Sequence, residues 1–118
     1  MRDHRKLKVF EFADELALSI YKTTKEFPRE EIYGLTAQLR RAAVSTASNI
    51  VEGSARDTEA EYLRFLDIAH GSAREVAYQL SIAMRLGYTS DNRVEALAEK
   101  TAMMLGALIR SLRSGPTS

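Results

Sequence analysis

Arg40 and Arg41, side by side in mid-chain, and the pair Asp67-x-x-His70 are the residues whose type and spacing could do chemistry. Guanidinium groups are planar, permanently charged donors that match phosphate and carboxylate oxygens. Arg40 and Arg41 are therefore candidates for contact with nucleic-acid phosphates or for ion pairs within and between subunits. The Asp-to-His spacing is one that di-iron helix bundles use, but such a centre needs two of these motifs and two further inward carboxylates. The other histidine is His4, at the start of the chain. Half the ligands are missing, so no metal site is expected. No histidine is placed to activate a serine, Gly-rich phosphate loops are absent, and there is no cysteine for thiolate chemistry. The chain reads as a non-enzyme without a cofactor.

The elements that position these residues have helical periodicity throughout. Leu7, Phe10, Ala13, Leu16 or Ala17, Ile20 and Tyr21 recur at spacings of three and four. Phe27-Pro28 closes that first helix, because the residue before proline is pushed out of the helical region. Pro28 to Gly34 connects, with one short turn at Arg29-Glu30-Glu31. A second helix runs from Leu35 to Gly53, with Gly53 as a C-terminal glycine cap. Between Arg41 and Glu52 it carries no charge on any face, whereas a surface helix shows one charged face. Its small-residue half should therefore be covered by two sets of neighbours, some from other subunits.

The third helix opens on Thr58-Glu59-Ala60-Glu61, a capping box. It carries Tyr62, Phe65, Leu66, Ala69, Ala73, Val76, Leu80 and Ala83 as its buried stripe and ends at Leu86-Gly87-Tyr88. Gly71 inside it suggests close helix packing at that point. The fourth helix follows the N-cap residues Ser90-Asp91 and runs through Val94, Leu97, Thr101, Leu105, Ile109 and Leu112. Residues 1–114 are expected to form a single all-α domain, an antiparallel up-down-up-down four-helix bundle, with 115–118 as a flexible C-terminal tail. Aromatics and Met103-Met104 read as core packing and gap-filling.

Pairing the second and third helices about Ser54-Ala55-Arg56 sets Arg40 and Arg41 level with roughly residues 70 and 71. Asp67 or Glu75 would then be their ion-pair partners. The same topology gathers Arg2, Arg5, Lys6, Lys8, Arg56, Arg110 and Arg113 at one pole, against Asp3, Glu52, Asp57, Glu59 and Glu61. This pole is a second candidate for nucleic-acid or subunit contact. Asn49 and Glu52 fall roughly level with Tyr62 and Glu59. Asn49 reads as a structural hydrogen-bonder, and Glu52 as a partner for Arg56 or for another subunit's arginine.

A chain of 118 residues can bury a real core as one domain. Its net charge of +1 gives no global electrostatic case for nucleic acid. The start Met1-Arg2-Asp3-His4-Arg5-Lys6 is too charged to open a signal peptide. The uncharged run from Ala42 to Val51 is roughly half the length of a bilayer span. With no cysteine to pair, a cytoplasmic protein without membrane contact is expected.

Several landmarks together resemble one family. They are Phe27-Pro28-x-Glu30; Tyr33-Gly34-Leu35-Thr36-x-Gln38-Leu39-Arg40-Arg41-Ala42-Ala43-Val44-Ser45; Asn49-Ile50-x-Glu52-Gly53; Arg64-Phe65-Leu66-x-Ile68-Ala69-x-Gly71-Ser72; and Leu86-Gly87-Tyr88. The chain from Leu7 to Leu112 is similar to the 23S rRNA intervening-sequence proteins. It departs at Thr46, where a larger aliphatic is expected, and at Val51, where alanine is. The resemblance implies a left-handed four-helix bundle assembling as a ring-like homopentamer, with no enzymatic activity. Some members are encoded within inserts of large-subunit ribosomal RNA genes, and a related accessory protein of diversity-generating retroelements binds a reverse transcriptase and nucleic acid. The expected role is a homo-oligomeric, nucleic-acid-associated scaffold contacting RNA or DNA. The alternative is a protein–protein adaptor with no nucleic-acid contact.

Overall fold

The computed structural model describes residues 2–115. Four helices account for most of them: α1 Lys8–Thr24, α2 Leu35–Ser54, α3 Glu59–Arg85 and α4 Asn92–Ser114. Of the expected tail, Gly115 ends α4 with a positive φ, and 116–118 lie outside the described residues.

Local chemistry sets each boundary. The expected turn at Arg29–Glu31 is present, and Glu31 does more than fill it. Its carboxylate accepts from the Leu35 amide at 3.0 Å and from the Tyr88 hydroxyl at 2.9 Å, so it caps α2 and ties down the end of α3. The Thr58 side chain caps α3 by accepting from the Glu61 amide, and Asp91 caps α4 through the Arg93 amide. Gly87, at φ 79°, turns the chain out of α3. There the Tyr88 amide reaches back to the Ala83 carbonyl and the Gly87 amide to that of Met84, a left-handed glycine stop.

Two expectations about glycine are corrected. Gly53 is no cap: α2 continues to Ser54, whose hydroxyl donates to the Ile50 carbonyl at 2.8 Å. Gly53 is instead a point of close approach between α2 and α3. A β-carbon there would stand 2.9 Å from Phe65 Cβ and 3.3 Å from Tyr62 Cδ1. Gly71 is the reverse, since nothing lies within 4 Å of the position its β-carbon would take.

Neighbouring helices pack in chain order, and α1 closes against α4. Side-chain pairs fix their senses. Ser45 meets Ser72 and Gln38 meets Gln79, Arg40 meets Thr24, and Asp67 meets Arg113, so each pair so joined runs antiparallel. The molecule measures 50 × 22 × 20 Å.

Two apolar clusters fill the interior. Leu16, Ile20, Leu39, Val76, Leu80 and Val94 anchor one, and Val9, Ile50, Tyr62, Leu66, Leu105 and Ile109 the other. Fully burying one such side chain stabilises the fold by about 1.5–3 kcal/mol. Thr46 and Thr101 fall between the clusters along α2 and α4. Both are fully buried, and their hydroxyls donate to the carbonyls of Ala42 and Leu97 one turn back. Thr46 thus fits the interior despite replacing a larger aliphatic.

Candidate nucleic-acid and subunit interface

The seam between α2 and α3 is polar but not ionic. Ser45 Oγ and Ser72 Oγ lie 2.8 Å apart, and Asn49 Nδ2 donates to the Ser45 carbonyl at 2.8 Å and to its hydroxyl at 3.0 Å. Further along, Gln79 Nε2 donates to Gln38 Oε1 at 3.4 Å, while Gln79 Oε1 is buried with no partner among the described residues. Asn49 is expected to cap or cross-link neighbouring helices, but its hydrogen bonds stay within α2, to Ser45. Gln38 and Ser72 stand out in the sequence only as landmarks of the resemblance, and Gln79 not at all. A signal exists nonetheless: Gln38, Ser45 and Glu52, like Phe65, Ser72 and Gln79, recur at seven-residue intervals and so share a helix face.

This seam moves the arginines. Its pairs bring Arg41 and Arg40 level with Val76 and Ala77, roughly two turns from the expected register. The reason is physical: α3 starts only at Glu59, and close approach at Gly53 with hydroxyl pairing at Ser45 selects the offset. Arg40 turns to α1, where Nε donates to Thr24 Oγ1 at 2.8 Å and the guanidinium covers the Tyr21 ring at 4.7 Å. Arg41 is exposed and makes no hydrogen bond or ion pair among the described residues. Neither arginine pairs with Asp67 or Glu75 within the chain, and Asp67 instead accepts from Arg113 at 2.6 Å.

The basic pole does assemble, and it neutralises itself. Five of its seven basic groups hold carboxylates: Arg2 with Glu59, Arg5 with Asp3, Lys8 with Glu11, Arg56 with Glu52, and Arg113 with Asp67. Lys6 and Arg110 hold none among the described residues. Asp3 caps a single 3-10 turn at His4–Lys6, and the Arg2 amide donates to the Ser54 carbonyl. The Arg2 guanidinium covers Tyr62 at 3.9 Å, and His4 stands edge-on to Phe10. The Arg5 hydrogen bonds hold the Asp3 carboxyl below its ordinary range. Burial pushes the Tyr62 hydroxyl up, with Arg2 opposing.

Two open surfaces bear on these residues. On the outer side of the α2–α3 pair, Arg41, Val44, Ser48 and Val51 form a stripe beside Arg64, Ile68, Gly71 and Glu75 of α3, all exposed. Val44 and Ile68 are each 42% exposed on this small-residue face. Between α3 and α4 lies a groove of about 730 Å³ floored by Ala77, Ala102 and Gly106. Asp67 is taken by Arg113, and His70 packs over Gly106 instead of facing a carboxylate cluster. Among the described residues no three His, Asp or Glu side chains gather as metal ligands, and no helix is long and apolar enough to cross a membrane.

Fold and surface together define a small all-α protein of four helices, with a small-residue outer face. The match to the family described as 23S rRNA-intervening sequence protein spans residues 5–110, and the chain belongs to that family. Among solved structures it is similar to a protein of unknown function from the S23 ribosomal protein family of Bacteroides thetaiotaomicron. That likeness has a TM-score of 0.78 at 23% identity, covering 86% of this chain and 95% of that one. At that identity it shows the fold alone. A comparison with curated proteins finds no match.

Proposed function

We propose that this chain is a non-enzymatic scaffold that self-associates through the outer face of α2 and α3, as a ring-like pentamer, and holds nucleic acid. The observation that carries the reading is the run of Val44, Ser48 and Val51 beside Ile68 and Gly71, exposed and uncharged, with Arg41, Arg64 and Glu75 at its ends. Small residues let two backbones approach closely, and a helix-interior glycine with open space around it suits a neighbour from another copy. Repetition around a ring turns a modest cationic contact into a multivalent one. The contact belongs to unpaired cations such as Arg41 rather than to the self-neutralised pole.

Sedimentation equilibrium of the full chain tests the assembly. Ser48→Glu with Ile68→Glu should leave helicity unchanged and convert the oligomer to monomers; an undisturbed oligomer would sink the assignment of this face. Binding to labelled RNA and DNA across a salt series tests the other half, since phosphate contacts release counterions and weaken steeply with salt. Arg41→Glu should lower that affinity while sedimentation shows the oligomer intact; dissociation instead would make Arg41, which borders the proposed subunit face, an interface residue and remove it from the nucleic-acid contact. Arg40 is a poor probe because it also braces α1.

A second reading, a protein–protein adaptor, has its own observation. Tyr33 is 94% exposed beside exposed Ile32 and Leu86. A groove of about 540 Å³ lined by Gln38, Gln79 and Leu86 adjoins them. Salt-insensitive capture of a protein partner with no RNA or DNA affinity would favour it.

A further inference from the structure

The groove between α3 and α4 has a charge pattern that the self-association reading does not use. At one end stand His70, Arg74 and Arg110, and at the other Glu95 and Glu99. Gly106 lies under the cationic end: a β-carbon there would sit 3.4 Å from both His70 Nε2 and Arg110 Nη1. Both side chains therefore lean over the same bare stretch of helix backbone. Arg74 and Arg110 hold no carboxylate among the described residues, whereas Arg2, Arg5, Arg56 and Arg113 each hold one. Two free guanidiniums and an imidazole around one opening make a donor set for a phosphoryl group, which has more acceptor oxygens than a carboxylate. One to two turns along α3, the Tyr78 ring lines the same groove and is 63% exposed. His70 and Tyr78 are eight residues apart on one helix, roughly 12 Å.

We propose that this groove holds one nucleotide unit, its phosphate on Arg74, Arg110 and His70 and its base stacked on Tyr78. A flat base stacks on an exposed aromatic whatever its sequence. Glu95 and Glu99 accept from the amino edge of the base and repel a second phosphate, so a strand crosses the groove rather than running along it. The unit can belong to a single strand, in which case the site deepens the nucleic-acid reading above and rests on it, or to a free nucleotide.

The test uses the full chain with two probes, a labelled oligoadenylate at low salt and adenosine monophosphate. Arg74→Glu with Arg110→Glu should weaken binding of the occupying probe at least tenfold. Tyr78→Ala should weaken it about tenfold while Tyr78→Phe retains it, and Glu95→Gln with Glu99→Gln should tighten a strand. All these positions lie on the groove surface, and circular dichroism confirms folding of each variant. Monophosphate binding without strand binding keeps the groove assignment and removes the nucleic-acid reading. Strand binding lost in Arg41→Glu but untouched by Arg74→Glu with Arg110→Glu overturns the groove alone. If neither probe binds the unaltered chain, both fall.

Discussion

Gly53 of α2 and Gly71 of α3 are both helical glycines, and their surroundings are opposite. Gly71 sits in mid-helix, where glycine costs about 1 kcal/mol relative to alanine, and Gly53 one residue from the end of α2. At Gly53 the glycine has a return inside the chain, because Phe65 and Tyr62 occupy the volume a β-carbon would take. At Gly71 there is none: the residue is exposed and its surroundings are open. Glycine within a helix therefore signals close approach without saying whether the neighbour is the same chain or another copy. The closed glycine anchors the fold, and the open one marks the face assigned here to assembly.

Gly53→Val is the strongest way to break that contrast. Its β-carbon would meet Phe65 Cβ at 2.9 Å, and a branched side chain cannot rotate clear. Overpacking of this kind costs about 3 kcal/mol, and urea unfolding should show the loss. A variant as stable as the parent would mean that α2 and α3 can separate there, and the closed half of the comparison would fail.

Gly71→Ala should do the opposite to the isolated fold. With open space around it, the substitution should add about 1 kcal/mol from helix propensity, read by urea unfolding at a concentration where the chain is monomeric. Oligomer dissociation should meanwhile rise, because the new methyl stands in the proposed contact. Added stability with unchanged association would place the assembly face elsewhere.

Much of the architecture was legible in the sequence because helix periodicity, capping residues and Pro28 act locally. Thr58 and Asp91 cap where their types indicate, and the core stripes of α1, α3 and α4 lie largely inside, but Tyr21 of the α1 stripe is exposed, as are Tyr33, Tyr78 and Met103, which were expected to pack in the core. What was not legible was register. The arginines looked like ion-pair partners of Asp67 and Glu75 because the turn was centred about Ala55. The true offset depends on Gly53 meeting Phe65 and Ser45 meeting Ser72, contacts between residues far apart in sequence. The pairing that neutralises most of the pole's basic residues depends on side-chain geometry that a charge count does not contain.

The smallest expected effect lies at the opposite pole, where Glu31 joins α2 to the end of α3. The Leu35 amide first, and then the Tyr88 hydroxyl, hold its carboxyl below the ordinary 4.5, and the same bond raises the Tyr88 hydroxyl. A carboxylate depressed in the folded state contributes stability above its unfolded pKa and loses it as pH falls through the folded value. Glu31→Gln should therefore be slightly less stable than the parent at neutral pH. That difference should shrink through the acid range and vanish below the depressed pKa. Tyr88→Phe separates the hydroxyl's share from that of the helix cap, and should retain most of the pH dependence because the Leu35 amide is the larger cause. Urea unfolding of the three chains across a pH series measures this. A Glu31→Gln deficit constant at every pH would show that the site acts through shape rather than charge, leaving the Gly53 contact as the stronger tie between α2 and α3.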